Sequence, residues 1–307
     1  MNDIHYLDRE TGKIHKEKIY GKFFIEALYG TSILSKFLSW IFLPLISRSP
    51  FFSLLYGRKQ KSAKSRKKVI PFIEMFHVDA SEFLKSPHEF TSFNDFFIRK
   101  LKPTSRPIAK GNDVAVLPAD GRHLFYPSFG EAEGFYVKGR KFDLELLLQD
   151  DFLFDIYKRG SMVISRLCPT DYHRYHFPCE CIPTKAKLIN GPLYSVNPMA
   201  LRKNIMILNE NKRMLTQLKT KTFGTILFIE VGATFVGSIK QTYSPQSLCK
   251  KGQEKGYFEF GGSCIIMLFT PGAIVFDEDL IASSKKQIEV KAKMGEQFGR
   301  ATQSLGS

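Results

Sequence analysis

The segment YFEFGGSCIIMLF, residues 257–269, constrains this chain more than any other, because Gly261, Gly262 and Ser263 interrupt what otherwise reads as a buried β-strand. A glycine inside a strand pattern marks a bulge or a close backbone approach. Two in succession, followed by a hydroxyl, point to backbone chemistry. If hydrogen bonds polarise the carbonyl of Gly262, the Ser263 hydroxyl can add to it, exchange the amide for an ester and lose that ester by elimination. The new N-terminus is then a pyruvoyl group, a ketone that no standard side chain supplies. Such a ketone forms an imine with an amine substrate and acts as an electron sink. A bulged strand with a hydrogen-bonded serine is the plainer reading of the same residues.

Two further segments add proton-transfer groups. LCPTDYHRYHFPCEC, residues 167–181, carries His173 and His176 between Pro169 and Pro178, so a regular helix is not expected through it and the histidines belong to a turn or short strand. Near-neutral imidazoles can take a proton from a serine or deliver one to a carbanion. VLPADGRH, residues 116–123, places Asp120 before Gly121 in a turn after an apolar strand. Asp, His and Ser together allow an oriented base to activate a hydroxyl.

In this order and spacing the three segments resemble the phosphatidylserine decarboxylase family. The resemblance continues through YLDRETGKIHKEKIYG (residues 6–21), SFNDFFIRKLKPTSRPI (92–108), VKGRKFDLELLL (137–148), IEVGATFVGSI (229–239), GQEKGYFEFGGS (252–263), DEDL (277–280) and KMGEQFG (293–299). It implies that Asp120, His176 and Ser263 form the self-processing triad, that His173 serves decarboxylation as a proton donor, and that the chain is cut between Gly262 and Ser263. The fragments would be a large subunit and a small one headed by a pyruvoyl cofactor made from Ser263, with no metal and no pyridoxal phosphate. The implied reaction turns phosphatidylserine into phosphatidylethanolamine and carbon dioxide through an imine with that ketone. The implied fold is α+β with a β-rich, sandwich-like catalytic core, and the implied assembly a homodimer of processed chains.

The sequence departs from the family pattern at Cys264, where Ser or Thr is common, at Thr170 in place of Arg, and at Cys181 in place of Gly. A thiol is a weaker hydrogen-bond partner than a hydroxyl, so Cys264 is expected to slow processing. His173, His176, Cys179 and Cys181 also raise a zinc reading. Cys-x-Cys is an uncommon ligand spacing, however, and no second cluster accompanies it. A serine hydrolase built on the same triad residues lacks the G-x-S-x-G elbow around Ser263.

A net charge of +15 and a sequence pI near 9.5 favour anionic partners. No nucleic-acid motif interleaves the basic residues, so an anionic membrane surface is the expected partner. Residues 23–56 hold a dense apolar block broken by Lys36 and Pro44, too short for the roughly 20 apolar residues of a spanning helix, and it reads as interfacial. RKQKSAKSRKK, residues 58–68, follows as a polybasic run suited to anionic headgroups. A non-catalytic basic protein docking on anionic membrane is the alternative these features allow. Residues 1–22 are polar and acidic enough to argue against a secretory signal or a mitochondrial leader. Five cysteines without framework spacing indicate a reducing compartment, and the cytoplasmic face of a bacterial membrane fits best. The expected organisation is a helical, membrane-associating region over residues 1–107 and a β-rich catalytic domain over 108–307. Arg166, Arg174 and Lys138 are candidate partners for substrate phosphate or carboxylate.

Overall fold

A computed structural model describes residues 4–18, 22–30, 32, 33, 35, 37, 40, 47, 50–128, 136, 137, 140–233, 238–261 and 263–302. Its centre is a ten-stranded sheet running Lys187–Ile189, Arg213–Lys219, Thr225–Val231, Ser263–Phe269, Ser161–Leu167, Gly121–Tyr126, Glu289–Ala292, His5–Asp8 and Ile14–Lys16, with Ile182–Pro183 also paired to Arg213–Lys219. Neighbours are antiparallel except His5–Asp8 against Glu289–Ala292.

The two middle strands, SMVISRL and SCIIMLF, are buried along their whole length, so neither shows polar alternation. The cause is cover on both faces. Cys264, Ile266 and Leu268 point to one face with Met162 and Ile164, and pack under the short helices Leu144–Leu148, Asp151–Tyr157, Pro198–Lys203 and Ile207–Glu210. Ile265, Met267 and Phe269 point to the other face, with Val163 and Leu167. That face is covered by a sheet of Ile239–Gln241, Glu254–Phe258 and Arg174–His176, and by another of Ile274–Phe276, Gln297–Ala301 and Val114–Val116. Each of these buried Ile, Leu, Met and Phe side chains contributes about 1.5–3 kcal/mol. Strand parity puts Ser263 on the face of the small sheets, where the histidine strand lies.

A third apolar cluster comes from residues 69–97 and joins Phe72, Phe83, Phe90, Phe93, Phe96 and Phe97 to Phe260 just ahead of the serine. The architecture is α+β, with a large sheet and mostly short helices. The first 107 residues are not uniformly helical as expected: His5–Asp8 and Ile14–Lys16 extend the main sheet. Runs of four and three residues are too short to show a periodic signal, and they become strands by pairing, His5–Asp8 with Glu289–Ala292 and Ile14–Lys16 with His5–Asp8. Among the described residues no helix is long and apolar enough to cross a membrane. The basic run is folded, as the end of helix Pro50–Lys61 and the 3-10 turn Ala63–Lys68, with Ser65 buried beneath it.

Candidate active site

Ser263 is the first residue of its strand, pairs with Leu167 and is wholly buried. Before it, Gly261 holds φ 141°, a conformation that side chains rarely tolerate, which accounts for glycine there. Gly262 lies outside the described residues. Ser263 Oγ lies 3.3 Å from His173 Nδ1. His173 Nε2 is 2.8 Å from the carbonyl oxygen of Cys168, which can only accept. Nε2 therefore carries the proton, and Nδ1 is left as an acceptor for the serine hydroxyl. The ring stacks on Phe97 with centroids 3.8 Å apart and planes 24° apart. Burial lowers the His173 pKa to about 3, although Asp171 and the Cys168 carbonyl work to raise it. The imidazole is neutral at ordinary pH.

His176 has different company. Its Nδ1 lies 2.9 Å from the carbonyl oxygen of Gly252, so that nitrogen donates, and Nε2 accepts from the Tyr172 hydroxyl at 3.2 Å. Burial lowers its pKa, against the Gly252 carbonyl, Glu254 and Asp120, which all favour the charged ring. The His176 backbone N–H donates to the carbonyl of Pro118 at 2.7 Å, which brings the Asp120 turn beside the histidine strand. Gly121 follows because a Cβ there would stand 2.8 Å from the Arg166 carbonyl oxygen. Asp120 accepts from Arg106 at 2.8 Å (Nε) and 2.5 Å (Nη2) and from the Met294 N–H at 2.9 Å. Arg106 also donates to both oxygens of Glu82. Burial opposes the Arg106 charge, but Asp120 and Glu82 hold its pKa above the ordinary value.

The structure thus joins Ser263 to His173 and sets Asp120 within electrostatic reach of His176. Among the described residues no hydrogen bond links Ser263 to His176 or His176 to Asp120. Several neighbours escaped the sequence reading: Phe97, Tyr172, Arg106, and Asn94, whose Oδ1 accepts from the Phe260 N–H at 3.0 Å. An asparagine inside the short helix Phe93–Phe97 was the available signal, since Asn is a poor helix former that works elsewhere with its side chain.

Below the site lies a buried ionic cluster. Arg166 donates to Glu17 at 2.7 and 3.0 Å and to Glu289 at 2.6 and 3.3 Å, and Arg122 pairs with Asp171 at 2.5 Å. Burial pushes the Cys168 thiol up, so it stays protonated and donates to Glu17 at 2.7 Å. Of the candidate anion partners, Arg166 is thereby engaged, Arg174 pairs with Glu254 at 2.8 Å and lies over Tyr257, and Lys138 falls outside the described residues. The described residues contain no group of three or more His, Cys, Asp or Glu placed to hold a metal ion.

The family model for phosphatidylserine decarboxylase matches residues 93–300, a span that includes both histidines, Asp120 and Ser263. A phosphatidylserine decarboxylase proenzyme of Chlamydia caviae is 48% identical over 301 residues, covering 98% of this chain and 99% of that one. The proenzyme of Chlamydia pneumoniae is 46% identical, with 98% of each chain covered, and that of Chlamydia trachomatis is 42% identical over 302 residues, with 97% of each covered. Similarity that runs through the N-terminal strands, the Phe-rich helices and the Gly-Gly-Ser strand alike leaves one assignment: the chain belongs to the phosphatidylserine decarboxylase family.

Proposed function

We propose that this chain is a proenzyme that cuts itself between Gly262 and Ser263 and then decarboxylates phosphatidylserine to phosphatidylethanolamine and carbon dioxide. The observation that carries the reading is a fully buried serine at the family's Gly-Gly-Ser step, entered through Gly261 at a φ of 141° that side chains rarely tolerate. In processing, the Ser263 oxygen bonds to the carbonyl carbon of residue 262 as the C–N bond breaks, leaving an ester and a free amine. Loss of the Ser263 Cα proton then expels the ester oxygen with residue 262, whose carboxylate ends the large subunit. Water adds at the new terminus and ammonia leaves, which yields the ketone.

That pyruvoyl group supplies a carbonyl that holds the substrate amine and draws off the electron pair released with carbon dioxide. Its surroundings fit it: residue 263 is dry, and a neutral imidazole faces it. We assign His176, with the Asp120 charge favouring its protonated form, to processing, and His173 to decarboxylation, where its Nδ1, facing residue 263, can deliver a proton to the substrate carbon after carbon dioxide has left. The division follows the resemblance, in which the second histidine of the DYHRYH string belongs to the processing triad and the first serves decarboxylation.

The same proposal places the protein at an anionic membrane on the bacterial cytoplasmic side. Ile33, Phe37 and Trp40 are exposed, and the basic run presents Arg58, Lys59, Lys61, Lys64, Arg66 and Lys67 to solvent. Pairing of two processed heterodimers rests on the family resemblance alone. Ser263→Ala should remain one intact chain and release no phosphatidylethanolamine from phosphatidylserine in detergent, while wild type gives two fragments whose intact masses include a pyruvoyl terminus. Wild type that is active yet uncut would sink the proposal.

A further inference from the structure

Self-cleavage needs the Ser263 hydroxyl and the carbonyl of residue 262 held in register, and misplacement by about 1 Å can cost a hundredfold in rate. Ser263 is fixed from its C-terminal side by the sheet ladder, opposite Leu167. On the N-terminal side the strand Glu254–Phe258 ends before the serine, and the Phe260 N–H is bonded not by a strand neighbour but by the side-chain oxygen of Asn94, at 3.0 Å. Only residues 261 and 262 lie between this anchor and the serine.

Asn94 sits 7% exposed on the helix Phe93–Phe97, and that helix also holds the histidine. Phe97, three residues on, supplies the ring stacked on His173, and both Phe93 and Phe97 pack on Phe260 with centroids 5.2 and 4.9 Å apart. The helix is itself immobilised at both ends. Ser65 Oγ accepts from the Phe93 N–H at 2.9 Å, and Arg99, just past the helix, donates to the carbonyls of Thr170 and Asp171 at 3.1 and 3.2 Å. One short helix therefore fixes the backbone ahead of the serine and the imidazole beside it.

We propose that Asn94 is a positioning residue for self-cleavage: by accepting from the Phe260 N–H it fixes where the chain enters the Gly-Gly-Ser step, on the same helix that orients His173 through Phe97. This rests on the self-cleaving decarboxylase reading. A buried N–H must have a partner, so deleting the acceptor frees the segment to search for another. The polar atom, rather than the bulk of the side chain, is what the assignment requires.

Asn94→Leu keeps the volume and removes the acceptor, whereas Asn94→Asp keeps an acceptor oxygen at the same place. Freshly made precursor would be followed on denaturing gels, with melting temperature measured on the same samples and with hydroxylamine added to cut any ester already formed at Ser263. The expected order of scission rates is wild type, then Asn94→Asp, with Asn94→Leu slower by about a hundredfold and unresponsive to hydroxylamine because the ester does not form. Cleavage of Asn94→Leu at the wild-type rate overturns the assignment. So does slowing of both variants in step with an equal fall in melting temperature, which would mark a packing role. Wild type run alongside separates the claims: if it stays intact the decarboxylase reading falls and takes this assignment with it, and if it cleaves while Asn94→Leu keeps pace, only the assignment falls.

Discussion

His173 and His176 stand on the same turn and strand, three residues apart, yet they rest on different halves of the molecule. The His173 side is tied to the main sheet: its ring leans on the Cys168 carbonyl, Cys168 N–H is held by Asp171 at 2.7 Å, and Asp171 is locked to Arg122. Glu17 reaches the same cluster from the N-terminal strands. The His176 side is tied instead to Tyr172 and, through the Pro118 carbonyl, to the turn where Asp120 meets Arg106 and Glu82. The first environment is rigid and strips the imidazole of its basicity. A carboxylate favours the charged form of both rings, Asp171 for His173 and Glu254 and Asp120 for His176, but only the second has a hydroxyl on its free nitrogen from a tyrosine of its own segment. One strand can thus present a neutral acceptor and a more basic imidazole a single turn apart.

The largest effect should come from exchanging the two. His173→Ala is expected to cleave itself and then lose decarboxylation by about a hundredfold or more, the usual worth of a positioned proton-transfer group, while His176→Ala stays uncut. Gels and phosphatidylethanolamine release read the two steps separately. Failure of His173→Ala to cleave would assign the serine proton to the histidine that touches it and reverse the comparison.

Removing Glu17 tests the support beneath His173. Breaking a buried pair leaves a charge behind, and because Arg166 keeps Glu289, Glu17→Ala should destabilise by on the order of 3 kcal/mol. Denaturant unfolding of the uncut Ser263→Ala chain gives the number. A change under about 1 kcal/mol would mean that the N-terminal strands do not brace the site.

How far these features were legible depends on the range of the contact that makes them. Ser263, Asp120 and the histidines each sit in a local string whose chemistry can be read directly. The Gly261 conformation and the close approach at Gly121 leave their mark as glycines. Asn94 and Phe260 are 166 positions apart, and Glu17 and Arg166 are 149 apart, so no periodicity in either segment announces the pair. A strand as short as Ile14–Lys16 is made by its neighbour rather than by its own pattern.

A smaller effect, and one that sharpens the contrast in basicity, is the pH dependence of folding. His173 and His123 are lowered by burial to about 3 and about 4, so the unfolded chain binds protons that the folded one refuses. Their contribution is complete above the unfolded value near 6.5 and is lost as pH falls toward 4, by about 1.4 kcal/mol per pH unit for each ring. Asp171 and Glu17, both lowered because their arginine partners outweigh burial, do not add to the loss until pH drops below the ordinary carboxylate range. Glu230 works the opposite way: burial, only partly offset by Lys255, raises it, so its ionisation disfavours the fold as pH rises. Unfolding free energies of Ser263→Ala at pH 7, 6 and 5 should therefore fall with acid. A flat profile would mean that neither His173 nor His123 is held neutral by its burial.

The finest test is Tyr172→Phe. It removes one hydroxyl and leaves the ring that packs 5.7 Å from His176. His176 Nε2 then loses a neutral hydrogen bond, worth about 1 kcal/mol. Without that donor the lone pair of His176 is free, so its pKa should rise and the pH profile of self-cleavage should move upward, whereas His173 and its stack on Phe97 are untouched. Decarboxylation by the processed enzyme should then keep the wild-type pH profile while the cleavage profile shifts. If both profiles move together, the two histidines titrate as one unit, and their contrasting surroundings do not divide the two reactions.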